Sequence, residues 1–410
     1  MLNSVIQSEK LIAYWNNLRV RKCIRVLTRV IFCTMLLIRL LGMTMIRYDN
    51  SAFSEWFHDV YLIYVPIVAL LICLLMKKFD INEIKLYFLL SVLFYLMTIN
   101  TARPTEAIHT LALIVLVKDE KLDWILKVFS IIALGVFVFT IAFNRFGFIS
   151  SRYIPRVDGD QRDSLGFWHP NVTGGILLSI VQVYILKIKK KTKIIASLLL
   201  LLLAVSIVVN SFTDSRASFW LVIFIIAASM FYHISDSFSI KFLNFLDRFL
   251  FLITFSFLMI SYLSSAFYSS DNDLLQFIDI LLSHRLRYGK MFLDDYSINL
   301  YGNILSIVTP FAQGADASEI TTRFLDNGYL FHLLSSGVIF TGMILLCFVW
   351  ISRKMYANGY KLAPLVALSI LLFGLIEAFF MWGHFNVILL TGGVFLSKSS
   401  SLAQLEKMKG

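Results

Sequence analysis

The stretch that decides the fold reads SRYIPRVDGDQRDSLGFWHPN and covers residues 151–171. It is polar, rich in arginine and in turn-forming residues, and it separates two apolar runs at 124–143 and 172–186. Runs of about 17 to 25 apolar residues are long enough to cross a bilayer as a helix, and these two runs approach or reach that length. The stretch therefore predicts a connector between two membrane helices, packed closely against the second helix.

Apolar runs of similar length recur outward from this stretch in both directions. Of the 410 residues 58% are hydrophobic and 15% are charged, and the mean hydropathy is +0.77, whereas a soluble chain carries about 25% charged residues. Together with the spacing of the apolar runs and the placement of the lysines, these values predict an all-α polytopic membrane protein with about twelve transmembrane helices and both termini cytoplasmic. We expect one membrane domain over residues 1–410, with two enlarged outer loops at 144–171 and 268–326.

The net charge of +11 is compatible with nucleic-acid binding, but the positions of the lysines favour another explanation. They lie in short gaps on alternate sides of the predicted spans, most densely in KIKKKTK at 187–193. Such clusters mark the cytoplasmic side of a membrane protein. The chain also contains no Walker loop and no Gly-x-Gly-x-x-Gly fingerprint. We therefore expect no nucleic-acid partner and no nucleotide site.

Cysteine and histidine spacing gives no sign of a metal centre. The cysteines lie in or beside apolar runs without a Cys-x-x-Cys pair, which predicts packing and no disulfide. The histidines nearest the outer loops are far apart in sequence and lack ligand spacing. We expect no metal and no cofactor. The residues concerned are Cys23, Cys33, Cys73, Cys347, His169, His284 and His384.

Arginines concentrate in the predicted outer turns, where the positive-inside rule alone would place few of them. Arginine grips phosphate with two parallel N–H groups, whereas lysine acts as a point charge. The pattern predicts an outer site for an anionic, phosphate-bearing or carboxylated ligand. The outer arginines are Arg103, Arg145, Arg152, Arg156, Arg162, Arg216, Arg285, Arg287 and Arg323.

The candidates on the first loop and the next turn also have purely structural explanations. Arg162 could pair with Asp160 or Asp163 in a solvated loop. Arg216 could pair with Asp214 at the start of a helix. Arg216 is nevertheless a candidate for a phosphate site, because it has no lysines around it that would mark a topology signal. Arg162 is a candidate because arginine binds phosphate well.

Other polar residues leave similar alternatives open. His169 and Asn171 could form a turn and a helix cap as well as shape the site. Arg285 and Arg287 follow His284 and could lie on an amphipathic helix at the membrane surface.

Two carboxylates and one further arginine complete the set of candidates. Asp326 stands just outside a span, where it could accept the proton of a sugar hydroxyl or cap the following helix. Glu377 lies near the membrane end of a helix, where a carboxylate is costly unless it is used or paired. Arg103 could bind the ligand or anchor its loop at the headgroups.

At these residues the chain resembles the O-antigen polymerase and ligase superfamily, specifically a Wzy-type polysaccharide polymerase. The layout is similar over nearly the whole chain, and three motifs occur in order: R-x-x-LGFWHPN at 162–171, DSR at 214–216, and DNGYL at 326–330 followed by Gly337. The resemblance implies a GT-C-like, multi-pass glycosyltransferase of the bacterial cytoplasmic (inner) membrane. Such an enzyme polymerises oligosaccharide repeat units, carried on undecaprenyl diphosphate, into O-antigen, capsule or exopolysaccharide. The implied partners are this substrate and the chain-length regulator and flippase of the same pathway.

The resemblance also implies residue roles in a metal-independent glycosyl transfer at the outer face. The growing chain on its diphosphate lipid would be the donor, and a hydroxyl of the incoming unit the acceptor. The implied catalytic residues are Asp326 as base, His284 as the second candidate for the base, and Arg216 on the departing diphosphate. The implied substrate-binding residues are Arg162, His169, Asn171, Arg285, Arg287, Arg103 and Glu377.

Three other functions remain open from the sequence. The related ligases carry histidine and asparagine where this chain has Asp326 and Asn327, which favours a polymerase over an O-antigen ligase. The chain contains no clean pair of Arg-x10-Gly motifs, which are described for some polymerases. A flippase or transporter of the lipid-linked sugar would suit about twelve spans, but it would place its charges near the bilayer midplane. A membrane scaffold would not need the arginines.

Overall fold

The computed structural model describes residues 18–77, 79, 81, 83–84, 87–88, 91–92, 104–155, 161–188, 193–234, 236–306 and 325–396. Most of them are helical. The first half contains α1 (Leu18–Leu41), α2 (Ile46–Asp49), α3 (Ser51–Trp56), a π-helical turn (Phe57–Tyr61), α4 (Tyr64–Met76), α5 (Pro104–Leu116), α6 (Leu122–Arg145), β1 (Tyr153–Pro155), β2 (Gln161–Asp163) and α7 (Pro170–Leu186). The second half contains α8 (Lys193–Thr213), α9 (Arg216–Ile234), α10 (Asp236–Ala266), α11 (Asp273–Leu281), α12 (Arg285–Asp295), α13 (Gly328–Ala357), α14 (Ala363–Gly374), a 3₁₀ turn (Ala378–Met381), α15 (Val387–Leu390) and α16 (Gly392–Leu396).

Four helices in the described part of the chain, α6, α8, α10 and α13, are long and apolar enough to cross a membrane. The pair formed by α3 with its π-helical turn and α4 makes a fifth if its 41° bend lies within one span. The apolar helices α5, α7, α9 and α14 are shorter. These features are consistent with an all-α membrane protein, and they do not confirm the expected count of twelve spans. The last predicted span, for example, consists of the two short helices α15 and α16.

Helix α7 lies at the centre of the bundle, packed against α6, α8, α9 and α14. Nearly all of its side chains are buried, which agrees with a helix sequence that is apolar on all sides. Two glycines permit the close packing at its start: a Cβ on Gly174 would collide with the side chain of Ser215, and one on Gly175 would lie 2.9 Å from Phe379. The first turn of α7 is thereby fixed against both α9 and the segment that follows α14.

The two ends of the bundle differ in their polar contacts. At one end, which we call the hairpin end, the C-terminus of α6 meets the β-hairpin through an ion pair of 3.5 Å between Arg145 and Asp163. At the opposite end, Arg29 of α1 binds Glu120 through two hydrogen bonds of 3.0 and 2.8 Å. Lys77 there donates to the carbonyl of Leu116 at 2.8 Å. The hairpin end is therefore rich in loops, whereas at the opposite end an ion pair and a hydrogen bond hold the helices together.

A short antiparallel β-hairpin forms within the first predicted outer loop, which adds two strands to the predicted all-α fold. Strands β1 and β2 pair Tyr153 with Asp163 and Ile154 with Arg162. The chain after β2 then crosses to the end of α1, where the N–H of Met45 donates to the carbonyl of Gly166 at 2.7 Å. The hairpin and this crossing together position the chain just before α7.

The described part of the second predicted outer loop contains two helices, α11 and α12, followed by an extended segment that we call the strap (residues 297–303). The strap lies on α13 where that helix is interrupted at Gly337, whose φ is 79° and ψ is 171°. The N–H of Asn303 donates to the carbonyl of Leu334 at 2.8 Å, and the N–H of Val338 donates to the carbonyl of Asn299 at 3.0 Å. The strap thus satisfies the backbone groups that the interruption leaves without helical partners.

Candidate functional site

Five separate segments of the chain bring polar side chains together at the hairpin end. We call this group the arginine cluster. The five segments are strand β2, the start of α7, the start of α12, the residue pair before α13 and the residue before the 3₁₀ turn. The members of the cluster are Arg162, His169, Asn171, Arg285, Asp326 and Glu377.

Glu377 is the central acceptor of the cluster, and only 3% of its surface is exposed. Its Oε1 accepts a hydrogen bond of 2.8 Å from Nδ2 of Asn171 and a charged one of 3.4 Å from Nη2 of Arg285. The carbonyl oxygen Oδ1 of Asn171 in turn accepts from Nη1 of Arg162 at 3.5 Å. Asn171 therefore links the two arginines through the buried carboxyl group.

Arg285 is held in place by backbone carbonyls as well as by charge. Its Nε donates to the carbonyl of Ile376 and its Nη1 to the carbonyl of Leu282, both at 2.8 Å. Its Nη2 lies 3.7 Å from a carboxylate oxygen of Asp326. Because 11% of the Arg285 side chain is exposed, its guanidinium has a fixed orientation and little freedom to turn.

The charge balance of the cluster is positive. Burial, and after it the nearby negative charge of Asp326, raise the pKa of Glu377 to about 8, against the opposing effects of Arg285, the hydrogen bond from Asn171 and Arg162. The Glu377 carboxyl is therefore mostly protonated at neutral pH. The six residues of the cluster then carry two guanidiniums and one carboxylate, that of Asp326, and a group with this charge attracts an anion.

His169 begins α7 and contributes a neutral ring. Its Nδ1 accepts a hydrogen bond of 3.1 Å from the N–H of Asn171 and so caps the helix, with Pro170 in the first helical position. Burial, and after it the positive charge of Arg162, lowers the pKa of His169 to about 3. A neutral ring whose Nδ1 is an acceptor carries its proton on Nε2. His169 is thus both a helix cap and a hydrogen-bond donor next to the arginines.

Asp326 does not cap α13, contrary to one of the two roles open to it from the sequence. The cap is Asn327, whose side chain accepts from the N–H of Leu330 at 3.1 Å. Asp326 instead directs its carboxylate to Arg285, and 32% of its side chain is exposed. Asn327 therefore caps the helix, and the carboxylate of Asp326 belongs to the arginine cluster.

Arg216 and Arg287 lie at the hairpin end but have other partners. Arg216 donates from Nε to Asp214 at 3.0 Å, and 61% of its side chain is exposed. The guanidinium of Arg287 lies over the ring of Tyr288, 5.5 Å from its centre. Arg103 falls outside the described residues, as do two further outer arginines, Arg156 and Arg323.

His284 pairs with a residue that the sequence analysis did not single out, Asp279 of α11. Its Nδ1 lies 3.1 Å from Oδ2 of Asp279, whose other oxygen accepts the N–H groups of Leu286 and Arg287 at 2.9 and 3.0 Å. Asp279 is 1% exposed. In the sequence, Asp279 stands out only as a lone carboxylate inside the otherwise apolar stretch FIDILL (277–282). Spacing alone does not connect this carboxylate to a histidine.

Arg152, named among the outer arginines but not as a site residue, also lies near the cluster. Its positive charge, with those of Arg162 and Arg285, contributes to the lowered pKa of His169. Its backbone N–H donates to Oγ of Ser164 at 2.9 Å, which ties it to the chain after β2. The hairpin therefore contributes two positive charges to this end of the molecule.

A second polar group is buried between α1, the π-helical turn and α5. Arg39 of α1, 2% exposed, forms an ion pair with Glu106. The hydroxyl of Tyr61 lies 2.7 Å from Nε2 of His109, and both side chains are buried. None of these four residues belongs to the arginine cluster as defined above.

No protein-family model, curated protein or solved structure matches this chain. Within the described residues, no three or more His, Cys, Asp or Glu side chains are grouped so as to hold a metal ion. The arginine cluster, with its fixed guanidinium groups, is suited to binding an anion.

Proposed function

We propose that this protein is a glycosyltransferase of the bacterial cytoplasmic membrane that polymerises oligosaccharide repeat units carried on undecaprenyl diphosphate. The observation that carries the proposal is the convergence of Arg162 and Arg285 on the Asn171–Glu377 pair. A diphosphate offers several anionic oxygens, and guanidinium groups match their geometry. The order of the three sequence motifs supports the same assignment.

The hairpin end faces the outside of the cell in this proposal, and the chain crosses the membrane about twelve times. The distribution of lysines supports this orientation. Among the described residues, the hairpin end has a single lysine, Lys290, and the remaining lysines lie toward the opposite end, as expected of a cytoplasmic side. Those at the opposite end are Lys22, Lys77, Lys118, Lys121, Lys127, Lys187, Lys193, Lys241, Lys354 and Lys361.

In the proposed reaction, Arg162 and Arg285 bind the diphosphate of the growing chain and stabilise it as it departs. Fixed donors aimed at developing negative charge lower the barrier, because they need no reorganisation at the moment of reaction. A protonated Glu377 adds no negative charge that would compete with the diphosphate for Arg162 and Arg285. The Nε2–H of His169 supplies a further donor. Arg216, exposed at the same end, meets the lipid-linked unit as it enters.

The test is polymerisation by the purified protein in lipid nanodiscs, with lipid-linked repeat units as substrate and glycan length resolved on a gel. Arg162→Ala and Arg285→Ala are each expected to slow elongation by about 10² to 10³-fold, the usual cost of removing one donor to a developing anion. Arg248→Ala is the matched control, since this exposed arginine lies at the opposite end and its carbonyl bond to Arg353 is retained. Full-length ladders from both cluster variants would refute the proposal.

A flippase or transporter of the lipid-linked oligosaccharide is the second candidate, and one observation favours it. The buried ion pair between Arg39 and Glu106, with the Tyr61–His109 pair, places charge and polarity between helices, as transporters often do. The two functions differ in the phenotype of a deletion strain. A single-repeat glycan at the cell surface supports the polymerase, whereas the absence of surface glycan supports transport or ligation.

A further inference from the structure

The paired side chains of His284 and Asp279 form a hydrogen-bonded dyad beside the arginine cluster. The imidazole Nδ1 lies 3.1 Å from the Asp279 carboxylate, which is almost fully buried, whereas 35% of the His284 side chain is exposed. The next residue in the chain is Arg285 of the cluster. The dyad thus combines a buried carboxylate with a partly exposed imidazole ring.

Asp279 also organises the backbone on which both residues lie. Its Oδ1 accepts the N–H groups of Leu286 and Arg287 in the first turn of α12. Ser283 and His284 both adopt left-handed backbone conformations, with φ of 56° and 65°. Such conformations are costly for residues other than glycine, and they persist where surrounding contacts hold them. Asp279 therefore fixes the start of α12 and the ring of His284 together.

The protonation of the ring follows from this arrangement. An ionised carboxylate can only accept hydrogen bonds, so Nδ1 of His284 must carry a proton to bind Asp279. In the neutral ring, Nε2 on the far side is then an acceptor with a free lone pair. By contrast, the carboxylate of Asp326 lies 3.7 Å from the guanidinium of Arg285, within the arginine cluster.

We propose that His284 is the general base of the transfer and that Asp279 is the positioning residue that keeps Nε2 of His284 unprotonated. This assignment rests on the proposed function and deepens it. The oxygen of the acceptor hydroxyl bonds to the anomeric carbon of the donor, and the bond from that carbon to the diphosphate oxygen breaks. The electron pair leaves with the diphosphate, and the hydroxyl proton passes to Nε2 and then to water.

Asp279→Asn separates the positioning role from the structural one. The remaining amide oxygen still accepts the two backbone N–H groups of α12, while the amide NH₂ now points at Nδ1 of His284. Nδ1 must then become an acceptor, the ring proton moves to Nε2, and the base is lost. Elongation is expected to fall by about 10² to 10⁴-fold, the usual contribution of a general base. The unfolding temperature is expected to change little.

The experiment uses the full chain in nanodiscs, with the imidazole nitrogens observed by ¹⁵N NMR and the His284 signals assigned from His284→Gln. Asp273→Asn, an exposed acid on the same helix, is the matched control and is expected to keep the wild-type tautomer and rate. A switched tautomer with a wild-type rate, or full activity of His284→Gln, would overturn the inference. If Arg285→Ala fails to elongate while Asp279→Asn elongates normally, this inference alone is wrong and the proposed function stands.

Discussion

Nη2 of Arg285 lies 3.4 Å from Oε1 of Glu377, although the two residues are 92 positions apart in the chain. Around this contact lie a second arginine, an asparagine, a neutral histidine and a partly exposed carboxylate. The guanidinium is anchored by two backbone carbonyls, so its position does not depend on Glu377 alone. This relationship leads to predictions about pH, charge geometry and backbone strain.

The stability of the protein should depend on pH through Glu377. Its pKa is about 8 in the folded state, above the ordinary value of about 4.3, so the folded state binds the proton more tightly than the unfolded state. Its contribution is complete below about pH 4 and is lost as the pH rises through about 8, by up to about 1.4 kcal/mol per pH unit. Thermal unfolding of the wild type from pH 5 to 9 should show this decline.

Glu377→Gln should flatten that decline, because glutamine does not titrate, and its unfolding temperature should change less between pH 5 and 9. Glu55→Gln, at an exposed position in α3, should behave as the wild type does. Identical pH slopes in the wild type and in Glu377→Gln would show that another group is responsible.

The planar guanidinium of Arg285, with its several fixed N–H donors, should matter more for elongation than its positive charge. Arg285→Lys retains the positive charge but cannot bind the carbonyls of Ile376 and Leu282 and the carboxyl of Glu377 at once. We expect elongation to fall by about tenfold or more, because bidentate recognition is lost. Gel-resolved glycan length measures the effect. Arg248→Lys serves as the comparison at the opposite end, and equal rates for the two variants would contradict the prediction.

Asn171 should contribute to stability through its bridging position. Asn171→Ala removes the amide that donates to Glu377 and the amide oxygen that accepts from Arg162. A buried polar group left without its partner costs about 1 to 3 kcal/mol. Thermal unfolding in detergent should report a clear loss. Asn358→Ala, an exposed position whose amide donates to the carbonyl of Lys354, should lower stability by less. The opposite ranking would argue against the bridge.

Gly337 should resist substitution because of its backbone and its neighbour. Its φ is 79°, and a Cβ there would collide with the carbonyl of Leu300 in the strap. We expect Gly337→Ala to destabilise the protein by about 1 to 3 kcal/mol or to displace the strap. Gly342→Ala, in the same helix with no atom within 4 Å of its added Cβ, should be neutral or stabilising by up to about 1 kcal/mol. Unfolding temperatures of the two variants provide the comparison.

Composition and residue type predicted much of what the structure shows. The apolar runs indicated helices, and the preference of arginine for phosphate singled out Arg162 and Arg285. The cost of a buried carboxylate singled out Glu377. These inferences depend on the chemistry of single residues, which can be read without knowing the fold. Several of the residues that they singled out lie close together in the structure.

Other features depended on contacts between distant segments. Asn171 and Glu377 are 206 positions apart, and no periodicity connects them. The partner of His284 lies five residues earlier, but the pairing requires two left-handed residues that side-chain type does not predict. The cap of α13 fell on Asn327 rather than Asp326, since both types cap helices well and only geometry decides between them.

The place of Glu377 in the chain has a consequence for assembly. Synthesis proceeds from the N-terminus, so Arg162 and Arg285 leave the ribosome well before Glu377 and the Ile376 carbonyl exist. Until then the two arginines lack the carboxyl group that joins them, and Asn171 lacks its acceptor. The arginine cluster therefore forms only after α14 has been synthesised, and a nascent chain that stops within α14 cannot contain it.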